Sequence, residues 1–232
     1  KLLKGRPNLY AVAGHTHTTE HRYFGEEDGF DGPGEFHHHV LGTVSGSWWS
    51  GPFDPRGIPT TDQRDGTPNG YHVLEVDGVD MSVRYKAAGF PDDYQMRILF
   101  DVSHHGLRAD GLRDFRAGEL FDGRFSEAQV PSAAVLVNLF DGGPRSKVEF
   151  RIDDGPWLAM QQAARPDPYM IEVFARNADT KKSWLTATPS SHIWQADVPD
   201  NLKMGVYTLS VRAVDEFGRT HHGHRIMEIT GG

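Results

Sequence analysis

Short apolar runs and strictly alternating stretches follow one another along the chain, punctuated by glycine, proline, asparagine and aspartate. The runs predict buried strands and the alternation predicts half-buried ones. The first run, Leu9 to Ala13, stops at Gly14. His37 to Gly46 reads as strand segments; successive side chains on a strand point to opposite faces, so His37 and His39 share one side and His38 takes the other. Tyr71 to Val76 and Met81 to Tyr85 alternate around Asp77-Gly78-Val79-Asp80, which predicts a β-hairpin. Asn69-Gly70 is a further hairpin-turn signal, with strands on one or both sides. Ala87 to Asp93 marks a boundary, Gln95 to Val102 predicts a strand, and residues 103–131 predict a polar, irregular excursion with a short helix.

The pattern after Ala133 is that of a two-sheet sandwich. Ala133 to Phe140 reads as a buried strand and Asp141-Gly142-Gly143-Pro144 as a turn. Val148, Phe150 and Ile152 alternate with Glu149 and Arg151, as do Tyr207, Leu209, Val211 and Ala213 with Thr208, Ser210 and Arg212. Tyr169 to Arg176 fits a short helix or a strand. About seven strand segments and no repeat period suit an immunoglobulin-like or fibronectin-like β-sandwich. The fold class is therefore mainly β, with one unit over residues 1–85 and a β-sandwich domain over 86–230.

Composition narrows the options. A chain of 232 residues with 38% hydrophobic and 24% charged residues is globular, and 26 Gly with 14 Pro suit many short strands. The net charge of −8, without a basic stripe, argues against a nucleic-acid backbone as partner. The absence of cysteine excludes disulfides and thiolate metal sites. No apolar run approaches the ~20 residues that span a bilayer, and no signal-peptide pattern is present. Thirteen histidines, several of them clustered, keep metal binding in view.

The chemistry concentrates where the first strand ends, at Gly14-His15-Thr16-His17 with His21 four residues on. A strand fixes the backbone, the glycine permits a sharp turn, and imidazole nitrogens are ready ligands for zinc, iron, nickel or manganese. On its own the His-x-His pair is weak evidence, because paired loop histidines are common. A mononuclear zinc site from His15 and His17 with His21 or His39 is a further arrangement of the same residues. Trp48 and Trp49, in Gly46-Ser-Trp-Trp-Ser-Gly-Pro52, read either as packing or as a wall of a substrate pocket. The acidic, glycine-rich residues 25–36 read as a surface turn, or as a calcium or substrate loop without EF-hand spacing. His104-His105 read as surface, and His222 with His224 as exposed residues or an adventitious zinc or nickel pair.

Taken together, Gly14-His-Thr-His-Thr-Thr-Glu-His-Arg-Tyr-Phe24, His37-His-His39, the Gly46–Pro52 segment and Arg64-Asp-Gly-Thr-Pro-Asn-Gly-Tyr71 resemble the bacterial calcineurin-like metallophosphoesterases whose catalytic domain is followed by a β-rich C-terminal domain. The resemblance makes residues 1–85 the C-terminal strands of a metallophosphoesterase β-sandwich. It implies hydrolysis of a phosphate ester at a centre of two divalent metal ions (Zn, Mn or Fe), with His15 contributing to one and His17 to the other. It places the loop of Asp65 and Asn69 near the catalytic mouth, as candidate substrate contacts. His21, four residues beyond His17 in the same loop, is the candidate for catalysis as a substrate contact or a proton donor to the leaving group, and His39 and Trp48 are further candidates for the substrate side. A contact from the His37–His39 triplet to a ligand carboxylate would serve equally well. The family's Asp-x-His, Gly-Asp-x-x-Asp and Gly-Asn-His motifs do not occur in the chain. The expectation is thus an incomplete site, inactive alone, whose remaining ligands lie in an N-terminal remainder of the same enzyme, with an extracytoplasmic location. The alternative is a β-rich binding or assembly module. A sheet edge left open by missing strands would pair with that remainder or with a second copy.

Overall fold

The computed structural model describes residue 3, residues 5–101 and residues 123–231. His104-His105 and most of the expected polar excursion lie outside the described residues. The first sheet contains β1 (Tyr10–Ala13), β2 (Glu20–Phe24) and β3 (Phe36–Val40) in the order β1-β3-β2, with β1 parallel and β2 antiparallel to β3. Pairing on both sides makes β3 the centre, so its histidines are flanked by a strand on each side. The outer edge of β1 has no strand partner among the described residues.

The hairpin forms as expected, from β4 (Gly70–Asp77) and β5 (Asp80–Ala87), and its turn is closed by the Asp77–Asp80 pair with Gly78 at φ 63°. It stands as a two-stranded sheet and does not extend the first one. Asn69-Gly70 is not its turn but its entry. A Cβ on Gly70 would lie 2.3 Å from the Lys86 carbonyl oxygen, so glycine is needed there for close approach. Tyr85, 1% exposed, anchors the hairpin by donating its hydroxyl to the Pro68 carbonyl at 2.5 Å. Tyr85→Phe leaves that buried carbonyl unpaired and should lower stability by about 1–3 kcal/mol, read as a fall in the urea midpoint at constant slope.

The sandwich uses β6 (Met96–Asp101), β7 (Arg124–Ser126), β8 (Ala134–Leu139), β9 (Lys147–Ile152), β10 (Leu158–Ala159), β11 (Gln161–Gln162), β12 (Arg165–Pro166), helix α1 (Pro168–Arg176), β13 (Pro189–Ser190), β14 (Ile193–Asp197), β15 (Gly205–Val214) and β16 (Thr220–Thr230). One sheet has the order β10-β9-β15-β16-β7 and the other β11-β14-β8-β6; β12 and β13 pair separately. The core between the two sheets holds Ile98, Phe100, Val135, Val137, Phe150, Trp194, Leu209, Val211 and Met227, drawn alternately from each strand. Every residue of β8 is buried because its other face is covered too. There Leu136, Leu99 and Ile193 pack with Tyr169 of α1. Tyr169 to Arg176, ambiguous in the sequence, is helical: Asp167 caps it, its carboxylate accepting from the Tyr169 N–H at 2.9 Å, and Pro168 opens it.

The segment between β3 and β4 is held by this helical side. The Thr188 N–H donates to the Arg64 carbonyl at 3.0 Å, and the Lys182 N–H donates to the Ser50 carbonyl at 2.9 Å. Hydrogen bonds therefore cross the boundary expected at residues 85–86.

Candidate functional site

The loop between β1 and β2 carries its conformational demand on the histidines rather than on the glycine. His15 and His17 have φ of 84° and 54°, whereas Gly14 is not among the positive-φ residues. Left-handed backbone at a non-glycine residue is uncommon and clusters at functional sites. Trp48 and Trp49, across the loop, adopt it too, at 57° and 55°. His15 is exposed; His17 is 8% exposed. The Trp48 ring stacks on the His17 ring with centroids 3.5 Å apart, and Trp184 meets Trp48 edge-on at 6.0 Å. Trp48 and Trp49 remain 52% exposed, so both offer aromatic surface outward.

The His17 ring is oriented by its Nδ1–H, which donates to the Gly46 carbonyl. A carbonyl can only accept, so this bond places the proton on Nδ1. The lone pair is then on Nε2, for which no hydrogen bond occurs among the described residues. A histidine held through one nitrogen to a backbone carbonyl is the arrangement that prepares the other for a metal ion. His17 thus presents one imidazole nitrogen suited to a divalent metal ion, beside the exposed His15. Asn69 lies beside the segment whose Gly46 carbonyl holds His17, its Nδ2 donating to the Val44 carbonyl at 3.1 Å.

A second constellation is buried. β2, β3, β4 and the turn after β8 bring His21, His39, His72 and Asp141 together. Asp141 Oδ1 lies 2.8 Å from His39 Nε2, 3.1 Å from His72 Nε2 and 3.4 Å from His21 Nε2. The far nitrogen of His39 meets the Tyr10 hydroxyl at 2.7 Å, and that of His21 meets His37 Nε2 at 3.0 Å. The His21 and His39 rings stack with centroids 3.8 Å apart. As the strand alternation predicts, His37 and His39 share a face. Burial disfavours a charged Asp141, but His39 and His72 hold it well below the usual carboxylate range. Burial also works against a charge on His21, yet its bond to Asp141 and the nearby negative charge raise it above the ordinary imidazole value. Burial lowers His39, and burial with the neighbouring His21 and His39 takes His37 down to about 3. His21 and His39, the candidates for catalysis and substrate contact, are 4% and 0% exposed, and both nitrogens of each are engaged within the protein.

Asp65 belongs to a third group. It is fully buried, accepting from the Thr19 N–H at 2.7 Å and the Thr67 N–H at 3.0 Å, with His192 Nε2 at 3.1 Å. His192 Nδ1 contacts Asn138 Oδ1 at 2.7 Å, and Asn138 Nδ2 donates to Asp167 at 2.6 Å. This chain of contacts ties the loop before β4 to the sandwich rather than opening toward a ligand. Asp141, His72 and His192 were not singled out from the sequence as site residues. The signal available for Asp141 was an acid at the exit of a buried, largely apolar strand, followed by two glycines.

The molecule thus joins a β-sandwich to a histidine-bearing sheet whose imidazoles are fixed by hydrogen bonds. The chain belongs to the family described as the C terminal of calcineurin-like phosphoesterase, whose model matches residues 38–221. That match runs across both halves of the chain and begins after β2, so His15, His17 and His21 precede it. No curated protein and no solved structure matches the chain significantly. No helix among the described residues is long and apolar enough to cross a membrane.

Proposed function

We propose that the chain is the C-terminal part of a metal-dependent phosphoesterase acting on a phosphate ester, and that His15 and His17 supply one imidazole to each of two divalent ions. The observation that carries this reading is the His17 ring, fixed by the Gly46 carbonyl with Nε2 left for a ligand. When bound, such a pair of ions supplies positive charge to a phosphoryl group and lowers the pKa of water. What the chain itself contributes is orientation. The left-handed backbone at His15 and His17 turns two neighbouring imidazoles out of the strand pleat, and Trp48 stacks on one of them to hold its plane. The exposed faces of Trp48 and Trp49 and the Asn69 amide lie beside the same loop, where a leaving group would be accommodated. The remaining ligands are assigned to the catalytic part of the enzyme. The outer edge of β1, without a strand partner among the described residues, and the exposed Tyr71, Leu74 and Val76 of β4 are the surfaces that suit its docking.

The test uses the full-length enzyme with His15→Ala and His17→Ala made separately. Each should release one of two bound ions, counted by elemental analysis, and lower hydrolysis of an aryl phosphate by about tenfold or more. Wild-type metal content and turnover in both variants would end this reading.

A further inference from the structure

The buried histidine cluster uses neither His15 nor His17, and its chemistry is distinct from theirs. We propose that His21, His39 and Asp141 form a separate mononuclear site for a divalent transition-metal ion such as zinc, one that clamps the first sheet onto the sandwich. The three ligand atoms lie within 4.8 Å of one another, and all three residues are buried. The vertices of a tetrahedron around zinc at ~2.0–2.1 Å are roughly 3.3 Å apart. The two carboxylate–imidazole separations, 2.8 Å and 3.4 Å, bracket that edge. Two imidazoles and a carboxylate are a donor set that suits zinc and iron.

The surroundings complete a site rather than a simple ion pair. Asp141 Oδ1 faces three imidazole nitrogens, more partners than its two lone pairs serve well. An ion between His21, His39 and the carboxylate relieves that crowding and leaves His72, at 3.1 Å, to donate to the ligating oxygen. Oδ2 makes no hydrogen bond among the described residues and can supply a second bond to the ion. Outside the ligands, the Tyr10 hydroxyl on His39 Nδ1 and His37 on His21 Nδ1 fix both ring orientations. The side chains of His21 and His39 are 0% exposed, which makes this a closed, structural site and not a place for substrate.

The experiment loads the full chain with zinc, removes loosely held metal by desalting and counts zinc per chain. About one ion should be retained by the wild type and equally by the His15→Ala/His17→Ala double variant. Asp141→Asn and His39→Gln should each lower zinc affinity by about tenfold or more. Should those variants fail to fold, X-ray absorption of the zinc-loaded wild type decides: a first shell of two imidazoles and a carboxylate supports the site, and any other ligand set overturns it. No retained zinc, or zinc lost from the double variant and kept by Asp141→Asn, overturns it as well. Because the double variant removes the imidazoles of the phosphoesterase centre, failure of either reading leaves the other standing.

Discussion

Asp167→Ala should be among the most damaging single substitutions, lowering stability by about 3–5 kcal/mol. Asp167 is fully buried and serves three groups at once. Its Oδ2 accepts from Arg97 at 2.9 Å and from Asn138 at 2.6 Å, and its Oδ1 caps helix α1. Arg97 has little access to water, its side chain being 10% exposed, and its guanidinium sits 3.8 Å from the Tyr169 ring. Burial works against that charge, but the adjacent carboxylate outweighs it and raises the Arg97 pKa. Alanine therefore strands a buried cation as well as removing the cap, itself a loss of about 1 kcal/mol. Asp167→Asn, which keeps the cap acceptor, should fall between the two. Urea unfolding measures both, and an Asp167→Ala midpoint within about 0.5 kcal/mol of wild type would show that the pair is not needed.

Gly46→Ala should damage stability and site together. Gly46 has φ of 43°, and a Cβ there would lie 1.4 Å from the Thr61 carbonyl oxygen, a backbone atom that cannot swing away. Forced overpacking costs about 1–3 kcal/mol. The same residue's carbonyl holds His17 Nδ1, so displacing it releases the imidazole that carries the proposed function. The full-length variant should lose metal and turnover as His17→Ala does, while also melting earlier. A variant that melts earlier with wild-type activity would separate the glycine's packing role from any role in aiming His17.

Much of this was readable in advance where one physical rule governs a stretch. Alternation gave the β4–β5 hairpin and the shared face of His37 and His39 because each depends only on the two-residue period of a strand. The sandwich strands were legible for the same reason. Less legible were positions whose contacts are set by a distant partner. Asp65 sits in a turn-like stretch beside the conspicuous tryptophans, and nothing local shows that His192 and Thr19 consume it. Gly14 looked like the residue that bends the chain, yet the left-handed angles fall on the histidines. Asp141 read as the first residue of a turn, and its three imidazoles come from strands 69 to 120 positions earlier.

That last spacing bears on how the molecule comes together. None of the apolar clusters among the described residues draws on β1, β2 or β3, while the sandwich has its own continuous core. Closing a span of 120 residues is entropically unfavourable until something rewards it. The sandwich can condense on its own contacts, whereas the N-terminal strands have little to gain until Asp141 is already in place. Assembly should therefore run against the direction of synthesis, with the segment made first waiting on a carboxylate made late.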